Sequence, residues 1–146
     1  MYYLLQWTWG FPLTAIGAVA YLIFTKIFNY PIKKYKNNIL ILIPYSNFTG
    51  LNLGLFTLIN KDRKDWIIHE YGHSIQNILF GWFTIFIITI PSIIRFWYRT
   101  LKTVLNKENK TGYYDIWFER QATRLGEALK WNMLVLYTMI FQRPLG

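Results

Sequence analysis

The sequence predicts a mainly α membrane protein, and three observations carry that prediction. Of the 146 residues, 53% are hydrophobic and 20% aromatic, well above the balance of an ordinary soluble domain. From Tyr2 to Thr25 no side chain is charged, a stretch long enough for the roughly 20 apolar residues that cross a hydrocarbon core. A second apolar run starts at Ile78 and continues through Ile94, with Pro91-Ser92 inside it.

Taken in order, residues 1–28 read as one N-terminal transmembrane helix, with Trp7 and Trp9 near one end and Lys26 at the other. The stretch lacks the basic start and the cleavage site of a signal peptide. Gly10, Pro12 and Gly17 are tolerable where neighbouring groups re-satisfy the backbone. All 16 Lys and Arg residues follow Thr25, so the positive-inside tendency places the first loop, with Lys33, Lys34 and Lys36, in the cytoplasm. Residues 29–146 then form a membrane-associated domain. Within it, Ile39–Ile43 and Leu53–Ile59 flank the turn-like Ser46–Gly50, the signals of a short β-hairpin. Leu53–Ile59 either presents an edge to an extended peptide or packs beneath the helix that follows. The charged turn Lys61–Asp65 supplies Asp62 or Asp65 as a cap for a helix starting near Trp66.

Composition also narrows the chemistry. There is no cysteine, hence no disulfide, thiolate ligand or Cys nucleophile. The net charge of +9 is scattered among apolar segments and forms no basic arm. Flanks of membrane segments explain it better than a nucleic-acid partner, and the lipid bilayer is the expected contact.

Both histidines of the chain lie in His69-Glu70-Tyr71-Gly72-His73. On a helix that spacing stacks the two imidazoles on one face. The pattern H-E-x-x-H joins two metal-binding His residues to a Glu that acts as general base. Catalytic zinc requires three protein ligands and an open position, and no third His exists. The downstream carboxylates are Glu108, Asp115, Glu119 and Glu127. Glu119 has the best context, because Asp115, Glu119, Ala122 and Gly126 share one helix face whose small residues let another helix approach. The plainer alternative is a surface Glu119 paired with Arg120 or Lys130.

His69-Glu70-Tyr71-Gly72-His73 followed by Glu119-Arg120-Gln121-Ala122 resembles the gluzincin metalloprotease arrangement, in the style of membrane-anchored prenyl-protein endopeptidases and bacterial heat-shock membrane proteases. The stretch from Gly50 to Gly126 also resembles a group of small uncharacterised bacterial membrane proteins, through Leu53-Gly54-Leu55-Phe56, Phe80-Gly81, Ile90-Pro91-Ser92, Arg95-Phe96-Trp97-Tyr98-Arg99 and Asp115-Ile116-Trp117-Phe118-Glu119. By position, the gluzincin likeness makes His69, His73 and Glu119 the metal ligands and Glu70 the general base. Gluzincins commonly place an Asp where this chain has Thr123, so Asp115 becomes a candidate to orient a ligand His.

For Glu119 to reach the side that holds His69, the apolar run must turn back. Pro91 offers the break, giving a membrane-dipping hairpin of Trp66–Ile90 and Ser92–Leu105 that inserts about 13 residues, short of the roughly 30 Å core. Trp131–Phe141 is too short to span alone. The expected protein is a zinc-dependent endopeptidase integral to the bacterial cytoplasmic membrane, cleaving a peptide or membrane-protein substrate at the cytoplasmic face. Its oxyanion partner is one of Tyr113, Tyr114, Arg120 and Arg124. The alternative is a non-catalytic scaffold or degenerate zincin with a structural metal, which a fourth protein ligand such as Asp115 would favour.

Overall fold

The computed structural model of the chain describes residues 1–45, 48–105 and 116–131. Helices α1 (Tyr2–Trp7) and α2 (Phe11–Leu22), the latter widening into a π turn over Ile23–Ile27, lead into a sheet. Its strands are β1 (Ile32–Tyr35), β2 (Asn38–Ile43), β3 (Gly50–Leu53) and β4 (Phe56–Asn60). Helices α3 (Trp66–Phe80), α4 (Ile90–Val104) and α5 (Trp117–Trp131) follow. The architecture is mixed α/β, which corrects the expected mainly α membrane fold.

Strand order is β1-β2-β4-β3. The two apolar runs expected to pair as a hairpin do lie side by side, but β2 and β4 are parallel, with Ile39 opposite Phe56. The hairpin belongs instead to β3 and β4, with Leu53 opposite Phe56. The physical reason is Gly54, whose φ of 67° supplies the left-handed residue of a two-residue turn. β4 therefore folds back on its immediate predecessor. All five residues of β4 are buried, as befits a central strand covered on both faces, and β3 becomes the edge. β1, formed where a loop is expected around Lys33 and Lys34, pairs antiparallel with β2.

Leu13 from α2 packs with Ile41, Ile43, Leu53 and Leu58 into a core. Burying side chains of this kind contributes about 1.5–3 kcal/mol each. The expected transmembrane helix over residues 1–28 is thus corrected: the segment breaks between Trp7 and Phe11 and packs onto the sheet and α3. It carries polar groups into that contact. Gln6 Nε2 donates to the Ser74 carbonyl at 3.0 Å, and Asn77 Nδ2 donates to Gln6 Oε1 at 2.6 Å. Tyr2 reaches both Ser74 and Asn38. Gln6, Ser74, Asn38 and Asn77 are fully buried, so α1 is tied down by a polar network as well as by apolar contact.

α3 begins at Trp66 as expected, although Asp65 makes no capping hydrogen bond and instead faces Arg63 at 3.7 Å. The expected break at Pro91 is also corrected. α3 ends at Gly81, held at φ 55° and packed so tightly on Trp9 that a Cβ would lie 2.2 Å from the indole. Trp66–Phe83 and Ile85–Val104 meet at a bend of 115°. Pro91 follows the π turn Ile85–Thr89, and the helix Ile85–Val104 continues through it. Among the described residues no single helix is long and apolar enough to cross a membrane. Together with the sheet, this overturns the expected integral membrane location with a cytoplasm-facing site.

Candidate metal centre

The site is built where α3 and α5 touch. A Cβ on Gly72 would lie 1.8 Å from the Ala122 carbonyl oxygen, and one on Gly126 would lie 2.0 Å from that of Ile68. Only glycine permits this approach, and it is what brings the carboxylate of Glu119 to the two imidazoles. His69 Nε2 and His73 Nε2 are 3.2 Å apart, and each is 3.2 Å from Glu119 Oε2. For bonds of 2.0–2.1 Å in tetrahedral directions, ligand atoms stand about 3.3 Å apart. The three atoms therefore fit one face of a divalent metal's coordination sphere. Glu119 is 1% exposed, which disposes of the surface ion pair as an alternative.

Each ligand atom is aimed by a partner. The Thr123 hydroxyl donates to the Glu119 carbonyl at 3.2 Å, so its lone pair accepts from His69 Nδ1 at 2.9 Å. Gln76 Nε2 donates to the Phe118 carbonyl and to Gln121 Oε1 at 2.8 and 2.9 Å. Its Oε1 is thereby oriented to accept from His73 Nδ1 at 2.7 Å. With both Nδ1 atoms carrying the proton, both Nε2 lone pairs point into the triangle. Ser92 donates to Glu119 Oε1 at 2.7 Å, leaving Oε2 for the shared point.

The electrostatics favour a cation there. Burial alone would raise the Glu119 carboxyl, but in the metal-free site, where Nε2 can carry a proton, hydrogen bonds from His69 and His73 outweigh it and hold the group well below the usual carboxylate range. Burial pushes the His73 imidazolium down, yet Glu119 and Glu70 more than offset it, and the net shift is upward. Without a metal, positive charge is already stabilised at this point.

Glu70 is buried beside the triangle, in a cavity of about 70 Å³ that it lines with His73, Glu119, Ser92 and the β3 residues Gly50 and Asn52. That is room for water. Burial raises its carboxyl above the ordinary value; His73 and His69 oppose the rise. The neighbourhood of Gly50 is close enough that a Cβ there would lie 2.6 Å from Glu70 Oε1.

His69, Glu70, His73 and Glu119 are thus brought together, and their arrangement matches the H-E-x-x-H plus Glu signature of gluzincin catalytic sites. Arg120, Arg124 and Glu127 are exposed and do not line the cavity. Glu108, Tyr113, Tyr114, Asp115 and the Trp131–Phe141 piece, beyond Trp131 itself, lie outside the described residues. The orienting role looked for in Asp115 is filled on His69 by Thr123 itself. Sequence reasoning missed Thr123, Gln76 and Ser92. Gln76 stands three residues beyond His73 on the same helix, a signal that could have been read; Ser92 comes from another element and left none. Comparison with protein-family models, curated proteins and solved structures finds no match.

Proposed function

We propose that this protein is a zinc-dependent endopeptidase. The carrying observation is the 3.2 Å triangle of two imidazole nitrogens and one carboxylate oxygen with Glu70 at its side. Two His and one carboxylate suit zinc better than magnesium or calcium, which prefer oxygen ligands. His69, His73 and Glu119 would hold the ion; when bound, zinc polarises the scissile carbonyl and makes water nucleophilic near neutral pH. Glu70 then takes the proton from the attacking water and delivers it to the leaving amine. Its raised proton affinity suits a group that must both accept and release.

Two further features support a peptide substrate. β3 is an edge strand that lines the cavity, so an extended chain can add to it through main-chain hydrogen bonds. Beside it opens a cleft of about 550 Å³ bordered by Phe48, Leu51, Trp66, Ile93 and Phe96, within the usual range of ligand pockets and suited to large apolar side chains. The metal cluster brings together three candidate ligands, the number a catalytic zinc takes from its protein. The test is metal content and peptidase activity of the purified chain. Wild type should carry about one zinc per chain, and its cleavage of an apolar reporter peptide should disappear with a zinc chelator and return on adding zinc. Stoichiometric zinc without any cleavage would favour the structural-metal reading; absence of bound zinc would refute both.

A further inference from the structure

α4 contains no buried residue, although it is the most strongly two-faced of the described helices. Phe86, Ile90, Ile94, Trp97, Leu101 and Val104 recur at steps of four and three, one stripe along the helix and the turn before it. They are 68, 42, 63, 65, 57 and 72% exposed. No described element covers them. Arg95, Arg99 and Lys102 occupy the other side, and no acidic residue occurs between Glu70 and Glu108. The stripe continues at its N-terminal end into a second exposed group. Trp82 donates its indole N–H to the Thr8 carbonyl at 3.4 Å, joining the turn that exposes Trp7, Trp9 and Phe11.

We propose that α4 and the aromatic turn before it dock in the plane of an anionic bilayer surface. The inference is independent of the metal centre. Two properties select this occupant over a second protein copy. A basic helix with Ile, Leu and Trp along one face is the composition of an interfacial helix, and exposed tryptophan rings are enriched at headgroup depth. The charge is complementary: 16 basic against 7 acidic side chains overall, and no acidic residue in the sequence of α4 itself. In-plane docking needs no helix long enough to cross the bilayer. It also brings the apolar cleft, whose wall includes Ile93 and Phe96 of α4, next to the lipid surface.

The test is flotation of the purified full chain with extruded vesicles, either phosphatidylcholine alone or phosphatidylcholine with phosphatidylglycerol. Flotation separates bound protein from aggregate. Wild type should rise with the anionic vesicles and much less with the neutral ones. Ile94→Asp with Leu101→Asp, both outside the cleft lining, should weaken binding by at least about tenfold, with zinc content and circular dichroism unchanged. A single Cys at Leu101, in this otherwise Cys-free chain, should carry an environment-sensitive dye that shifts blue on anionic vesicles, while the same dye at Lys34 on β1 should not. Failure of wild type to float, equal flotation of the double variant, or equal flotation with both lipid compositions would overturn the proposal. So would a dimer in sedimentation velocity that the Ile94→Asp change dissociates, because a second copy would then be what covers the stripe.

Discussion

Removing one hydroxyl from α5 tests the logic of the site without touching a ligand. In Thr123→Val the shape of the side chain is kept, but His69 Nδ1 loses the acceptor it has at 2.9 Å. The imidazole is then free to adopt the other tautomer or to swing about its χ2 bond, and its Nε2 lone pair is no longer committed to the triangle. Losing such an orienting partner typically lowers metal affinity about 10- to 100-fold, which corresponds to roughly 1.4–2.7 kcal/mol. Fold stability should fall by less than about 1 kcal/mol, since the other lost contact is a side-chain back-bond to the Glu119 carbonyl within its own helix. Thr123→Asp should do the opposite, binding zinc more tightly than wild type, because a carboxylate accepts the Nδ1 proton more strongly than a hydroxyl. Competition against a chromogenic zinc chelator at neutral pH measures all three proteins. If Thr123→Val binds zinc as tightly as wild type, the argument from tautomer control is wrong.

His69→Ala and His73→Ala should each remove zinc from the purified protein; stoichiometric metal in either variant, by elemental analysis, would refute the ligand assignment. Glu70→Gln should retain zinc while peptide cleavage falls at least about 100-fold, the usual size of a general-base contribution, and wild-type rates in the variant would exclude Glu70 as the base. The same substitution bears on stability. Burial raises the Glu70 carboxyl in the folded chain, so ionising it on going to neutral pH opposes folding, and the stability present below the ordinary carboxylate range is lost as pH rises through the raised value. Metal-free Glu70→Gln should accordingly melt above metal-free wild type at pH 7, with the gap closing towards pH 4; a gap that widens on acidification would contradict the sign. Gly72→Val should prise α3 from α5, because even a Cβ would meet the Ala122 carbonyl at 1.8 Å; a loss of about 1–3 kcal/mol or more in denaturant melts together with loss of zinc is expected, and unchanged zinc affinity would show that the helix contact does not position Glu119.

Much of the site could be read from the chain because it rests on single-helix periodicity. The four-residue spacing of His69 and His73, the start of α3 at Trp66, and the alignment of Glu119 with Ala122 and Gly126 all follow from 3.6 residues per turn. None of these needs a partner segment to be known. What tertiary structure decided depends on contacts between distant residues. Thr123 meets His69 across 54 positions and Ser92 meets Glu119 across 27, and no local pattern announces either pairing. Gly81 rather than Pro91 makes the bend because Trp9, 72 positions earlier in the chain, packs on it. The strand order was undetermined for a related reason, since an apolar run such as Ile39–Ile43 states only that it is buried, not beside which neighbour. The same limit explains the membrane expectation. An uncharged stretch like Tyr2–Thr25 favours any apolar surrounding, and periodicity cannot distinguish hydrocarbon from a sheet. Only the packed chain shows Leu13 against Ile41 and Leu58, Gln6 bonded to Ser74, and the stripe on α4 left facing outward.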